Sequence, residues 1–79
     1  MKTMTCKQLG GACELEFQAN NFDEIAEMSK RHGMEMFQKG DKAHLKAMIG
    51  MKAKMQSPND MVEWLESKRK VFDSLPDNE

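Results

Sequence analysis

The chain has 79 residues, of which 12 are basic and 13 acidic, and its formal net charge is −1. This length accommodates one small domain, residues 1–79, and the charge balance argues against binding to nucleic acid or to an anionic membrane. No apolar run approaches the roughly 18 residues that a membrane span requires, and the first five residues lack the apolar stretch of a secretory signal. We therefore predict a cytoplasmic protein whose cysteines are reduced.

The first twenty residues predict a β-hairpin. Residues 2–6 and 14–19 have the alternating pattern of strands. The second strand is predicted to place three apolar residues on one face: Leu15, Phe17 and Ala19. Gly10 and Gly11 lie between the strands, and glycine supplies the positive φ angles that tight turns need. We predict that a loop of about six residues joins the two strands.

Three helices are predicted after the hairpin. Asn21 is the predicted N-cap of the first helix, which runs to about Gln38 before Gly40 ends it. Asp41 caps the second helix, and Ser57, followed by a proline, begins the third. Together these elements predict an α+β fold in which an N-terminal two-stranded β-hairpin packs on three α-helices.

Two thiols and two imidazoles form the set of residues best suited to chemistry: Cys6, Cys13, His32 and His44. Thiolates and neutral imidazoles are preferred zinc ligands, and a structural zinc site needs four of them. The predicted turn brings the cysteines together, and each histidine lies on the core-facing side of its helix. These residues are therefore a candidate zinc site, structural rather than catalytic.

Other interpretations of the same residues stay open. The intervals of six residues between the cysteines and eleven between the histidines are longer than those of common zinc modules. Buried cysteines and histidines often serve only in packing. The cysteine pair also suits a reversible disulfide across the hairpin, which requires a thiol with a lowered pKa.

The nine methionines suggest two further hypotheses. Met48, Met51 and Met55 share a stripe of the second helix, and thioether sulfur is a soft ligand for copper(I). Methionine is also typical of adaptable cores and of partner-binding surfaces. Three amphipathic helices and one hairpin have more apolar surface than a domain of this size covers, and Met34 is a candidate for exposure. The alternative to a metal module is therefore a metal-free helical interaction module that self-associates into a homo-oligomer through Met-rich helix faces.

No catalytic motif is found in the sequence. The chain has neither a Gly-rich phosphate loop nor a Gly-x-Ser-x-Gly elbow. Glu24 and Glu27 are typical of a solvated helix face, and residues 68–70 are too short a basic run to indicate nucleic acid. We predict no enzymatic activity and identify no small-molecule substrate.

The first half of the chain contains the pattern Lys2-Thr3-x-x-Cys6-x-x-Leu9-Gly10-Gly11-x-Cys13, followed by Glu16-Phe17, Phe22-Asp23-Glu24 and His32. In this pattern the chain resembles the domain-of-unknown-function family 1059 (DUF1059) of small prokaryotic proteins. The resemblance implies a hairpin and first helix over residues 1–40, with 41–79 as a helical extension, and it implies no activity. Relatives tend to carry a second histidine four residues after the first, where this chain has Met36. His44 is the candidate to replace that ligand.

Overall fold

The computed structural model describes residues 1–77. It contains two strands and three α-helices: β1 Lys2–Thr5, β2 Glu16–Ala19, α1 Phe22–Lys39, α2 Lys42–Lys54 and α3 Pro58–Ser74. The strands pair in an antiparallel sheet at the N-terminus. The predicted α+β fold, a two-stranded hairpin followed by three helices, is confirmed.

The sheet turns one apolar face toward the helices. Met4 of β1 pairs with Phe17 of β2, and both side chains are buried. Because side chains alternate along a strand, Ala19 lies on the same face and is buried as well. Leu15 was expected on this face but is 48% exposed. The reason is that β2 begins at Glu16, two residues later than predicted, so Leu15 belongs to the loop.

The loop between the strands spans residues 6–15 and is longer than predicted. It begins with a 3-10 turn over Lys7–Leu9, which ends at Gly10 with a φ of 88°. The ladder of backbone hydrogen bonds continues into the loop, since the Cys6 N–H donates to the carbonyl of Leu15 at 2.8 Å. The loop is therefore a compact structure that fixes the backbone around both cysteines.

The predicted helix starts are confirmed. In each case the side chain of the N-cap residue accepts a hydrogen bond from the backbone three residues later: Asn21, Asp41 and Ser57. Ser57 and Asp60 also bond reciprocally as a capping box, with a proline at the first turn. Helix α1 ends one residue later than predicted, where Gly40 takes a φ of 70°.

Within residues 1–77, eight buried apolar residues form the core: Met4, Cys6, Leu9, Phe17, Ala19, Phe22, Ile25 and Phe72. Only the last of these comes from α3, and none comes from α2. The Phe22 and Phe72 rings meet edge to face with their centroids 6.1 Å apart. The core thus joins the hairpin and its loop, the first turns of α1 and the last turns of α3.

Much of the apolar surface of the helices lies outside this core. Met34 is 56% exposed, as predicted, and Ile49 of α2 is 70% exposed. Apolar side chains in the first half of α3 are also partly open, with Met61 51% exposed and Leu65 37% exposed. In the described part of the chain, no helix is long and apolar enough to cross a membrane.

Candidate metal centre

Four side chains converge beside the hairpin loop: Cys6, Cys13, His32 and His44. Their four ligand atoms all lie within 4.8 Å of one another. The loop supplies both thiols, while α1 and α2 each supply one imidazole. The structure therefore brings together all four residues that the sequence singled out, from three separate parts of the chain.

The shortest contacts pair each thiol with a different imidazole. Cys13 Sγ lies 3.2 Å from His32 Nε2, and Cys6 Sγ lies 3.6 Å from His44 Nε2. The two imidazole rings meet edge to face, with centroids 5.2 Å apart, and Phe17 packs against His32 at 5.8 Å. Both histidines thus present the same nitrogen, Nε2, to the thiols, and aromatic contacts help to hold the rings.

The Gly-Gly turn allows the backbone to pass directly over the first thiol. A Cβ atom at Gly11 would lie only 2.1 Å from Cys6 Sγ, far inside any van der Waals contact. The Gly11 N–H also donates to the carbonyl of Cys6 at 2.8 Å. Gly10 has a positive φ that residues with a side chain rarely adopt. The sequence predicted the turn, but not this close approach to the thiol.

The two thiols have different electrostatic surroundings. Cys6 is 4% exposed, and burial raises the pKa of its thiol because a buried thiolate loses hydration. The pKa of Cys13 is lowered, chiefly by a hydrogen bond from the backbone N–H of Leu15 and further by the side chain of His44. Without a bound cation, Cys13 therefore ionises more readily than Cys6. Both are free thiols.

Asp41 also contributes to the site, although it is not one of the four candidate ligands. From the sequence we predicted it only as a helix cap. Its Oδ2 accepts the backbone N–H of His44 at 3.0 Å and contacts the Nδ1 of the same residue at 2.6 Å. The contact with Asp41 raises the pKa of His44 and lowers that of Asp41 itself. The sequence could have predicted this contact, because a histidine three residues after an Asp N-cap lies on the same helix turn as the carboxylate.

The Asp41 contact determines which nitrogen of His44 faces the thiols. When Nδ1 carries the proton and donates it to a carboxylate, Nε2 has a free lone pair. Metal-binding histidines commonly have such a carboxylate partner, which fixes the tautomer and the ring orientation. His44 is 6% exposed, so its ring is also held by packing.

The methionine stripe of α2 divides between two cavities. Met48 and Met51 line a cavity of about 220 Å³ that adjoins Cys6, His32 and His44. Met55 lines only a different cavity, between α2 and α3, and Met51 contributes to that cavity as well. The stripe therefore does not lie as one unit at the cluster, and copper(I) binding by these thioethers stays a prediction.

Comparisons of the chain with protein-family models, with curated proteins and with solved structures found no match. The resemblance of the first half to the domain-of-unknown-function family 1059 stays a prediction. The function must therefore be inferred from the geometry and chemistry of the cluster.

Proposed function

We propose that this protein is a small metal-binding module in which one zinc ion joins the hairpin loop, α1 and α2. The ligands are Cys6, Cys13, His32 and His44. The observation that carries this proposal is the convergence of their four ligand atoms within 4.8 Å of one another. The loop places the two cysteines near each other, but the histidines lie on α1 and α2, far from the cysteines in the sequence, so local chain geometry does not bring the four ligands together.

The spacing of the ligand atoms fits a tetrahedral zinc ion. With Zn–S bonds of about 2.3 Å and Zn–N bonds of about 2.0–2.1 Å, a tetrahedron has S···N edges of roughly 3.6 Å. The two short S···N contacts measure 3.6 Å and 3.2 Å. These two distances are within a few tenths of an ångström of that edge, and the other pairs of ligand atoms lie within 4.8 Å, so binding the ion requires side-chain adjustments of up to about 1 Å.

The chemistry of the ligand set favours zinc and a structural role. Two thiolates and two imidazoles suit a borderline-soft ion, whereas calcium and magnesium prefer oxygen ligands. Four protein ligands fill a tetrahedral site and leave no position for water or a substrate, which is the arrangement of structural rather than catalytic zinc. A reducing compartment such as the cytoplasm would keep both thiols available for the ion.

A zinc ion would stabilise the part of the molecule that the core does not reach. Among the described residues, α2 has one buried side chain, His44. Small domains often need such a cross-link, because their cores supply only a few kcal/mol. Apparent binding free energies of structural zinc are on the order of 10 kcal/mol at neutral pH, and this becomes folding free energy where the unfolded chain binds weakly.

The direct test is the metal content of protein purified without a histidine tag. We expect one zinc per chain by elemental analysis, and a melting temperature that falls when a chelator removes the ion. Cys13→Ser and His32→Ala should each lose the bound zinc. Substitution by cobalt should give the wild-type protein the absorption of a tetrahedral ion with thiolate ligands, and Cys13→Ser should lack the thiolate-to-metal bands.

Phe72→Ala is the matched control for loss of zinc through general destabilisation. Phe72 is 4% exposed in the core and is not among the four ligands, so its removal should cost about 3–5 kcal/mol and leave the metal content unchanged. Wild-type protein that carries no zinc, takes up none on titration and keeps its melting temperature with chelator would overturn the proposal.

A further inference from the structure

The first half of α3 carries an apolar ridge that lies outside the core, on the same side of the helix as Phe72. It consists of Met61, Trp64 and Leu65, of which the first is 51% and the last 37% exposed. Phe72, by which α3 reaches the core, lies two turns further along the helix. The ridge is therefore an apolar surface that the chain itself covers only in part.

Grooves flank this ridge on both sides. Between the ridge and α1 lies a cavity of about 540 Å³, whose far wall includes Phe22 and Ala26. Between the ridge and α2 lies another of about 360 Å³, whose far wall includes Met51 and Met55. Both cavities have predominantly apolar walls, so filling them with apolar side chains would be favourable.

The area that the whole chain exposes is large enough to include a protein interface. A monomer of 9.1 kDa typically exposes about 4,900 Å² of surface, whereas this chain exposes 5749 Å². The excess, about 850 Å², is close to the roughly 800 Å² that each partner buries in a stable protein interface. The molecule is also thin, with extents of 35 × 28 × 15 Å, which explains why so much surface stays open.

A ridge beside a groove on one surface is self-complementary. In a two-fold interface the same patch serves both subunits, so each copy must offer both a projection and a cavity that receives it. The net charge of −1 causes little repulsion between copies. Lys30 and Lys52 border the two grooves, while Glu63 and Glu66 lie on α3, so a second copy can bring opposite charges to the rim.

We infer that the α3 ridge and its flanking grooves form the interface of a homodimer, with the ridge of each copy seated in a groove of the other. The ridge itself lies apart from the four-ligand cluster, whereas Met51 and Met55, which line one groove, belong to the helix that supplies His44, so the interface is tested with zinc bound. Another group of exposed apolar residues does not line either groove: Met34 and Phe37 lie near the C-terminal end of α1, and Ile49 lies in the middle of α2. That second group supplies the control.

The experiment compares two charge substitutions in zinc-loaded protein by sedimentation velocity over a range of concentrations. Leu65→Glu places a charge in the centre of the proposed interface and should weaken dimerisation at least about tenfold. Ile49→Glu places the same charge on a side chain that is 70% exposed and should leave dimerisation unchanged. Circular dichroism and zinc content should match wild type in both variants, since neither residue belongs to the core.

Trp64 reports on the interface independently, because it is the single tryptophan of the chain. Its emission should shift to shorter wavelength with the same concentration dependence as sedimentation. A wild-type protein that stays monomeric at millimolar concentration overturns the inference. The inference is also overturned if Ile49→Glu dissociates the dimer while Leu65→Glu leaves it intact. A monomer whose Trp64 emission shifts on addition of detergent micelles also overturns it, and indicates an apolar ligand in the grooves instead.

Discussion

Two regions on either side of the hairpin loop hold this molecule together in different ways. The apolar core draws on the hairpin, the start of α1 and the end of α3, and it includes Ile25 at 0% exposure. The four-ligand cluster draws on the loop, the middle of α1 and α2. Cys6 belongs to both regions, because its side chain is buried in the core and its sulfur contacts His44.

The difference between the two regions shows that the strands and helices are not all stabilised by the same interaction. Burial of apolar surface is non-directional and tolerates small shifts. Metal ligation is directional and fails when one ligand is displaced. Helix α2 contributes no residue to the apolar core of residues 1–77, so its position depends on the cluster. We expect α2 to open at a lower free energy than the hairpin does.

The largest expected effect is that of removing zinc. Chelation should lower the free energy of unfolding by up to on the order of 10 kcal/mol, since structural zinc contributes this much in small domains. Hydrogen exchange should lose protection in α2 first, while the amides of β1 and β2 keep more of theirs. Equal loss of protection in the strands and in α2 would contradict the separation between core and cluster.

The next largest effect is expected when a substitution adds a methyl group at the Gly-Gly turn and so lowers the affinity for zinc. Gly11→Ala places a Cβ atom 2.1 Å from Cys6 Sγ, so the thiol must move and the site loses a ligand. Zinc affinity should fall sharply, as measured by competition with a chelator. Gly50→Ala is the matched control, because no atom lies within 4 Å of its added Cβ. That change should raise the stability of α2 by about 0.5–1 kcal/mol. Unaltered zinc affinity in Gly11→Ala would contradict the observed geometry.

A smaller effect is expected when Asp41 loses its charge. Asparagine caps helices as well as aspartate does, so Asp41→Asn keeps the cap of α2 while removing the carboxylate that orients His44. Loss of such a partner typically lowers metal affinity about 10–100-fold. Competition titrations should show this decrease with little change in helix content. Asp41→Ala, which removes the cap too, should reduce helix content as well. An Asp41→Asn protein with wild-type zinc affinity would show that the carboxylate serves only as a cap.

The smallest effect concerns pH and has opposite signs with and without zinc. The Asp41 contact raises the pKa of His44 and lowers that of Asp41. In metal-free protein, the raised pKa of His44 stabilises the fold fully at pH values below the pKa of His44 in the unfolded chain, about 6.5. This stabilisation is lost as the pH rises through the higher pKa of His44 in the folded protein. The stabilisation that comes from the lowered pKa of Asp41 is lost as the pH falls through the pKa of Asp41 in the folded protein. Zinc binding instead weakens in acid, because it needs neutral imidazole and deprotonated thiols.

Melting temperatures at pH values of about 5.5 and about 8 test these signs. Chelated wild-type protein should gain stability at the lower pH relative to chelated Asp41→Asn. Zinc-loaded protein should be more stable at the higher pH. A chelated wild type and Asp41→Asn with the same pH dependence would show that the pair contributes nothing in the metal-free state.

Local sequence signals were sufficient to predict the hairpin, the helix starts and the four candidate ligands. Caps and glycine turns act over three or four residues, so Ser57 and Gly40 could be interpreted without knowledge of their surroundings. The start of β2 was harder to predict, because residues 14–19 alternate throughout although Leu15 belongs to the loop. Alternation shows which residues share a face, but not where pairing begins.

The sequence by itself determined which elements form and which residues have the chemistry of metal ligands. Only the tertiary structure decided that sulfur and nitrogen atoms from positions 6, 13, 32 and 44 lie within 4.8 Å of one another. It also decided that Asp41 orients His44 and that the α3 ridge stays outside the core and partly exposed. The physical reason is that capping and periodicity are local, whereas ligand convergence and burial depend on how distant segments pack. The same Met, Leu or His on an apolar stripe is compatible with a core, a metal centre or an open interface until that packing is known.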